Sequence, residues 1–235
     1  MGRKKRAKKK KEIVEVEEKK GINPVLIVGG LLLLAVVFFF FKGSPNDDGT
    51  QPTFQPPSNV PGEYVQVTTL PDPSASGQVH MMVFFDFFCP HCYTFDTGPL
   101  PQLEAKYGEK LQVVPIGYPI FGAKAKNALR AYELAKESGK GEEMKSAIFV
   151  AYHDQRRDIS DTAVLAEIAG EVGLDAQQFK SSLDAGAKNE IVQLNIDLAN
   201  KYGLKQTPTV VLAGQYVVTD ISPTNIETIL SGLLA

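Results

Sequence analysis

The sequence predicts an α/β fold, and three observations support this prediction. A continuous apolar run from Met81 to Phe88 is typical of a central strand that is covered on both faces. This run ends at a Cys-x-x-Cys motif, Cys89 to Cys92, and a helix-compatible segment follows the motif. From Ala123 to about Tyr202 apolar residues recur with helical spacing, and an apolar strand pattern returns at Thr209. We therefore expect a sheet whose strands are separated in the chain by a block of helices.

The first half of the chain supplies the other early elements. Tyr64 to Leu70 alternate enough to form a first strand at the edge of the sheet, and Leu111 to Gly117 form the strand that follows the apolar run. The helix that begins at Cys89 should run to about Tyr107, with an interruption near Gly98 and Pro101. A helix between two strands lets them run parallel, so we expect a parallel pair here.

The helical block and the C-terminal region carry signals for helix starts and turns. Asp161 and Asp175 are predicted N-caps of two short helices, and Ser222, which precedes a proline, is predicted to cap the last helix. Gly214-Gln215 is predicted as a hairpin turn. One helix of the block has an apolar stripe that we expect to face the core, formed by Ile191, Leu194, Leu198 and Tyr202.

Cys89 and Cys92 are the only cysteines of the chain, and their place at a helix start predicts redox chemistry. A strand that delivers two cysteines to a helix N-terminus is typical of thioredoxin-like folds. The unpaired N–H groups and the helix macrodipole favour the Cys89 thiolate, which is the nucleophile in disulfide exchange. His91 can add a donor or a positive charge beside the sulfur, and Pro90 suits the first helical turn. Cys92, one turn inside the helix, should be the buried resolving thiol.

Two other interpretations of the cysteine pair are weaker. A zinc site needs four ligands, but the remaining candidates, His80, His91 and His153, do not repeat a ligand-like spacing. A purely structural disulfide is disfavoured because the short loop between Cys89 and Cys92 would constrain the unfolded chain little. We expect His80 and His153 to be ordinary residues, with His153 at the surface or at the edge of the core. We expect no metal site and no bound cofactor, since no Gly-rich loop opens a helix after a strand.

The N-terminal region differs sharply in charge from the rest of the chain. Residues 1–23 carry ten Lys or Arg against four Glu, whereas residues 43–235 carry 14 basic against 23 acidic residues. Residues 24–41 between them are apolar, and with Ile22 they give about 20 nearly uncharged residues, enough for one transmembrane helix. The bulky residues after this run argue against a cleaved signal peptide. The lysines could bind nucleic acid or anionic lipid, but the positive-inside rule explains them by placing residues 1–23 in the cytoplasm.

Residues 42–62 are rich in Pro, Gly, Ser, Asn and Asp, and this composition predicts a flexible linker. We therefore expect a single-pass protein of the cell membrane whose N-terminus is cytoplasmic and whose main domain, residues 63–235, is extracytoplasmic. Disulfides persist outside the cytoplasm, so this topology agrees with a redox-active cysteine pair.

Two segments resemble those of a known family. FFDFFCPHCYTFD, residues 84–96, resembles the active-site segment of DsbA-type thiol:disulfide oxidoreductases of the thioredoxin-like superfamily. Thr207-Pro208, at the start of an apolar strand, resembles the cis-proline loop of that superfamily, which lies against the dithiol and pairs with the substrate backbone. The resemblance implies a thioredoxin-like catalytic domain over residues 63–235, with a helical insertion at about residues 122–190.

The resemblance also implies an activity and partners. It implies an enzyme that introduces disulfides into exported proteins with free thiols, by exchange through the Cys-Pro-His-Cys dithiol. A membrane partner, quinone-linked and DsbB- or VKOR-like, would then reoxidise the dithiol. Two alternatives remain open, namely a disulfide isomerase or reductase on the same fold and a tethered binding protein or chaperone with a non-essential dithiol.

Two positions near the cysteines complicate this interpretation. Relatives often have a buried carboxylate six residues before the first active-site cysteine, where it helps proton transfer at the second, but this chain has Val83 there. Asp86 is the one acid of the apolar run and should point to the opposite face of the strand. It could tune the thiols, but we expect it to be solvated at the end of the strand. The proton route for Cys92 is therefore left open by the sequence.

Overall fold

The computed structural model describes residues 59–67 and 77–235 of the chain. The predicted basic segment 1–23, the predicted transmembrane helix 24–41 and the predicted linker up to residue 58 lie outside the described residues. Within residues 59–67 and 77–235, no helix has the length and apolar character needed to span a membrane.

Five strands form one mixed sheet in this part of the chain. They are β1 (Tyr64–Gln66), β2 (Val79–Phe85), β3 (Leu111–Gly117), β4 (Thr209–Leu212) and β5 (Tyr216–Val218). Their order in the sheet is β1-β5-β4-β2-β3, with β2 parallel to β3 and antiparallel to β4. The presence of an edge strand that begins at Tyr64, of a central strand in the apolar run and of the parallel pair is therefore confirmed. β1 ends at Gln66, and residues 68–70 of the predicted edge strand lie outside the described residues.

Eight α-helices accompany the sheet in the described residues. They are α1 (Pro90–Thr97), α2 (Pro99–Tyr107), α3 (Lys126–Lys136), α4 (Gly141–His153), α5 (Thr162–Glu171), α6 (Ala176–Asp184), α7 (Asn189–Lys201) and α8 (Pro223–Leu233). Gly98 separates α1 from α2, so the predicted interruption is confirmed. Helices α3 to α7, which we call the helical block, follow β3 and precede β4, as the helical periodicity predicts.

The predicted caps are present at the starts of three helices. The side chains of Asp161 and Asp175 accept backbone N–H bonds at the starts of α5 and α6. The Ser222 hydroxyl accepts the N–H of Asn225 at 3.4 Å at the start of α8. Each cap pairs a backbone donor that the helix itself leaves unpaired. Local sequence therefore sets where these helices begin.

Both cysteines pack within the hydrophobic cluster of the helical block, whereas a second cluster is formed by the sheet with α2 and α8. Phe87, just before the cysteines, contacts Phe85 with ring centroids 5.1 Å apart and Phe149 of α4 at 4.8 Å. Both pairs have the edge-to-face geometry that aromatic rings prefer. The helical block thus holds the turn that leads into α1.

The central strand is shorter than the sequence predicts. β2 ends at Phe85, so the prediction that the strand continues to Phe88 is wrong. Asp86 causes the difference, because its side chain accepts the N–H of Phe88 at 2.9 Å and its carbonyl accepts the N–H of Cys89 at 3.0 Å. Local bonds of this kind compete with strand pairing and turn the chain toward α1.

The apolar stripe of α7 is only partly buried, so the prediction that it faces the core is wrong for its first half. Ile191 is 38% exposed and Leu194 is 62% exposed. The helix instead buries Val192 and Ala199 where it packs near α3 and β3. The helix has two overlapping apolar faces, one with Ile191 and Leu194 and one with Val192 and Ala199, and the spacing of apolar residues does not show which of them is buried.

The hairpin between β4 and β5 turns one residue earlier than predicted. Its central residues are Ala213 and Gly214, with φ angles of 49° and 64°, and the N–H of Gln215 donates to the carbonyl of Leu212 at 3.1 Å. Two successive positive φ angles match the type I′ turn, whose twist suits a hairpin.

Candidate active site

Cys89 is the N-cap of α1. Its backbone is extended, with φ −87° and ψ 114°, and Pro90 takes the first helical position. The Cys89 sulfur accepts the backbone N–H of Cys92 at 3.4 Å. In this arrangement the sulfur stands where the helix presents unpaired N–H groups, as the sequence predicts.

The surroundings of Cys89 favour its thiolate. They lower the pKa of Cys89 to about 5, chiefly because the Cys92 thiol donates a hydrogen bond to it and against the opposing effect of burial. The backbone N–H groups of Cys92 and His91 also lower this pKa. His91 therefore contributes through its backbone, and its side chain is exposed. At neutral pH the Cys89 sulfur is a thiolate, the reactive species in disulfide exchange.

Cys92 has the opposite character. It is buried in the cluster of the helical block, and burial raises its pKa far above the ordinary value for cysteine. Its hydrogen bond to Cys89 raises the pKa further. Both cysteines are free thiols in this structure. The pair thus combines a reactive sulfur next to Thr207 with a protonated sulfur one turn further along the helix.

The second predicted segment lies against the first. The Thr207–Pro208 peptide bond is cis, and the Cys89 sulfur is 3.3 Å from the carbonyl oxygen of Thr207. The Thr207 hydroxyl is buried and has no hydrogen-bond partner among the described residues. These contacts join two parts of the sequence that are more than a hundred residues apart.

A groove of about 380 Å³ opens beside this junction. It is lined by His91, Thr94, Phe95, Pro99, Gln206, Thr207, Pro208, Ile221 and Ser222. Three of the predicted site residues, His91, Thr207 and Pro208, therefore line this groove, whereas Cys89, Pro90 and Cys92 do not. An extended peptide that lay in this groove would pass close to the Cys89 sulfur.

Asp86 is fully buried, at 0% exposure, so the expectation that it is solvated is wrong. Its two carboxylate oxygens accept the N–H groups of Phe88 at 2.9 Å and Phe121 at 3.1 Å. Burial raises its pKa, and the negative charge of Cys89 raises it as well. Asp86 thus joins the turn before Cys89 to the turn after β3. The signal in the sequence is its position, an acid inside an apolar run.

His153 is a neighbour of the site that the sequence did not identify. Its Nε2 lies 3.0 Å from the carbonyl oxygen of Phe87, and its ring stacks on Tyr93 of α1 with centroids 4.8 Å apart. Burial lowers its pKa, whereas the nearby charge of Cys89 opposes this. His153 lies at the edge of the core as expected, but it also braces the active-site helix.

The remaining histidine, His80, lies on β2, and its Nε2 is 2.6 Å from Oε1 of Gln112 on β3. Within the part of the chain that the structure describes, no group of three or more His, Cys, Asp or Glu residues is arranged to hold a metal ion.

Comparisons with known proteins agree with this geometry. Residues 81–231 match the model of the family described as DSBA-like thioredoxin domain. The thiol:disulfide interchange protein DsbA of Haemophilus influenzae is 28% identical over 159 residues, which is 66% of this chain and 74% of that protein. DsbA of Bordetella pertussis is 25% identical over 178 residues, covering 74% of this chain and 82% of that protein.

Solved structures of similar proteins show the same fold. The structure of DsbA from Xylella fastidiosa superposes with a TM-score of 0.64 at 23% identity, covering 75% of this chain and 97% of that one. The structure of oxidised BdbD from Bacillus subtilis gives a TM-score of 0.62 at 19% identity, covering 74% of this chain and 99% of that one. The chain has a thioredoxin-like fold with a helical insertion, and it belongs to the DSBA-like thioredoxin domain family of thiol:disulfide oxidoreductases.

Proposed function

We propose that this protein is a membrane-tethered disulfide oxidase that donates a Cys89–Cys92 disulfide to exported proteins. The observation that carries the proposal is the Cys89 sulfur, which caps α1 beside the groove and has its pKa lowered to about 5. A thiolate of this kind is a good leaving group in disulfide exchange, because thiols of lower pKa leave faster.

The exchange has two steps. A substrate thiolate attacks the Cys89 sulfur, the Cys89–Cys92 bond breaks, and the electron pair leaves on Cys92. A second substrate thiolate then attacks the substrate sulfur of the mixed disulfide, and Cys89 leaves as a stable thiolate. The substrate chain would lie in the groove beside Thr207 and Pro208, which are the proposed substrate-binding residues, while His91 and Pro90 belong to the first turn of α1.

The direction of the reaction follows from the stability of the reduced form. A pKa of about 5, compared with the ordinary value of about 8.5, stabilises the reduced protein at pH 7 by about 2 to 3 kcal/mol. For a two-electron couple this corresponds to a potential more oxidising by on the order of 50 mV. The Cys89–Cys92 disulfide is therefore reduced readily and acts as an oxidant.

The proposed location rests on the N-terminal sequence. The basic segment 1–23 would remain in the cytoplasm, residues 24–41 would cross the membrane, and residues 42–62 would tether the catalytic domain on the outer side. Exported proteins with free thiols would meet the dithiol there. A quinone-linked membrane partner, DsbB- or VKOR-like, would return it to the disulfide form.

The test is the reduction potential of the protein in glutathione buffers. We expect a potential well above that of the glutathione couple, as an oxidase needs. A potential near that of thioredoxin would favour the reductase or isomerase alternative. If cells that carry a Cys89→Ala, Cys92→Ala double variant retained the full biological role of the protein, the chaperone alternative would replace the oxidase.

A further inference from the structure

Cys92 must gain and lose a proton in every cycle of the proposed exchange, although it is only 2% exposed. When the substrate thiolate attacks Cys89, the disulfide breaks, the new S–S bond joins the substrate to Cys89, and Cys92 becomes a thiolate. It then takes up a proton, because burial raises its pKa. Before Cys92 can attack a mixed disulfide during reoxidation, it must release that proton. The buried sulfur therefore needs a proton route.

A small cavity beside Cys92 contains two other ionisable side chains. Its volume is about 10 Å³, close to the smallest space that holds one water molecule. Cys92, Asp96 and Lys145 line it together with apolar side chains, one of which is Val83. The position where relatives often carry a carboxylate thus contributes only an apolar wall here. Asp96 and Lys145 are the charged groups that share this cavity with the sulfur.

These two residues form an ion pair that connects α1 with the helical block. Lys145 Nζ lies 3.0 Å from Asp96 Oδ1 and 2.7 Å from Oε2 of Glu142. The side chains of Lys145 and Asp96 are 7% and 18% exposed, whereas that of Glu142 is 68% exposed. A continuous series of polar atoms therefore leads from the cavity to solvent.

We propose that Asp96 relays the proton between Cys92 and solvent, with Lys145 as the positioning residue that holds it. One water molecule in the cavity would join the Cys92 sulfur to the Asp96 carboxylate, and Lys145 would connect Asp96 to Glu142 at the surface. The inference rests on the proposed roles of Cys89 and Cys92. In this proposal Lys145 and Glu142 of α4, a helix of the helical block, take part in proton transfer during the exchange reaction.

The charges around the pair support a relay. Asp96 on α1, Glu104 on α2 and Glu142 on α4 all interact with the ammonium group of Lys145. The Tyr132 hydroxyl of α3 interacts with Glu142, Glu133 and Asp96. Burial raises the pKa of Asp96, and Lys145 only partly opposes this. A carboxylate whose pKa moves toward neutrality transfers protons more effectively near pH 7.

The test follows the reaction of Cys89 and the reaction of Cys92 separately within one experiment. The reduced full-length protein is mixed with oxidised glutathione, quenched with acid at intervals and analysed by mass. Formation of the glutathione adduct reports on Cys89, and its conversion to the internal disulfide reports on Cys92. At pH 7, Asp96→Asn should slow the second step about tenfold or more and leave the first step unchanged, so that the adduct accumulates.

Further variants distinguish a relay from a structural role. Asp96→Glu, which keeps the carboxylate, should restore most of the second rate, and Lys145→Met should slow it. In the slow variants the second rate should continue to rise with pH where the wild-type rate is level. Glu143→Gln, which removes an exposed carboxylate of the same helix, is the matched control and should change neither step.

Two outcomes are decisive. If Asp96→Asn does not fold, the double variant Asp96→Asn, Lys145→Met replaces it, since it leaves no unpaired buried charge. A wild-type second rate with an unchanged pH profile in the folded variant would overturn the relay. A Cys92→Ser protein that formed no glutathione adduct on Cys89 would instead overturn the proposed roles of the cysteines.

Discussion

Cys89 and Cys92 lie on the same helix, one turn apart, yet their surroundings drive them to opposite ionisation states. Both cysteines pack in the hydrophobic cluster of the helical block. Cys89 lies 3.3 Å from the carbonyl oxygen of Thr207, a residue that lines the groove, and N–H groups and the neighbouring thiol lower its pKa to about 5. Burial instead raises the pKa of Cys92. The difference teaches that the motif supplies the two sulfurs, and that the fold decides which one reacts.

The largest expected effect is on the reaction rate of each cysteine when the other one is replaced by serine. In Cys92→Ser the remaining Cys89 should react rapidly with oxidised glutathione at pH 7. In Cys89→Ser the remaining Cys92 should react at least about a thousandfold more slowly, because a buried protonated thiol is a poor nucleophile. Adduct formation followed by mass measures both rates. Rates within tenfold of each other would remove the basis of the comparison.

A second prediction concerns the wall behind Cys92. Phe149→Ala should lower the free energy of unfolding by about 3 to 5 kcal/mol, because the ring is buried against Phe85 and Phe87. Urea denaturation of the reduced protein measures this change. The control is Leu194→Ala on the exposed face of α7, which should change stability by no more than about 0.5 kcal/mol. Equal losses in the two variants would mean that the helical block does not enclose the site.

A third prediction concerns pH. The alkylation rate of Cys89 should rise with a midpoint near pH 5. Cys89 is an acid whose folded pKa is lowered, so its stabilisation of the reduced protein is complete above the ordinary pKa of about 8.5 and is lost as the pH falls through about 5. The oxidised protein has no thiol to titrate and is the control. A stability difference between the two forms that did not change from pH 8 to pH 4 would contradict the lowered pKa.

The smallest expected effect is at Asp86. Asp86→Asn removes a negative charge that repels the Cys89 thiolate, so the pKa of Cys89 should fall further, by less than about one unit. The pH profile of alkylation measures it, with the exposed substitution Asp197→Asn as the control. A rise in the pKa of Cys89 would mean that Asp86 acts mainly by holding the turn before α1.

The elements that the sequence predicted well are those with local causes. The N-caps Asp161, Asp175 and Ser222 act on residues two or three positions away, so the pattern alone reveals them. The Cys89 to Cys92 spacing likewise places both sulfurs on the first turn of a helix. The predicted interruption at Gly98 has the same local origin.

The features that the sequence missed depend on distant contacts. His153 contacts Tyr93 of α1, 60 residues earlier in the chain, and Lys145 contacts Asp96 of α1, 49 residues earlier, and no periodicity reports that packing. Asp86 was expected in solvent because an isolated acid usually avoids the interior, but two backbone N–H groups satisfy it there. Burial and partners of single polar residues are properties of the folded molecule.

The contact between Cys89 and Thr207 has a consequence for biosynthesis. The two residues are 118 positions apart, and α4, which braces α1, also follows the cysteines in the chain. A ribosome that translates the chain from its N-terminus therefore releases both cysteines well before their partners. Until the later segments arrive and fold, Cys89 has the acidity and reactivity of an ordinary cysteine. The arrangement around Cys89 is therefore complete only after the chain has been synthesised beyond Thr207.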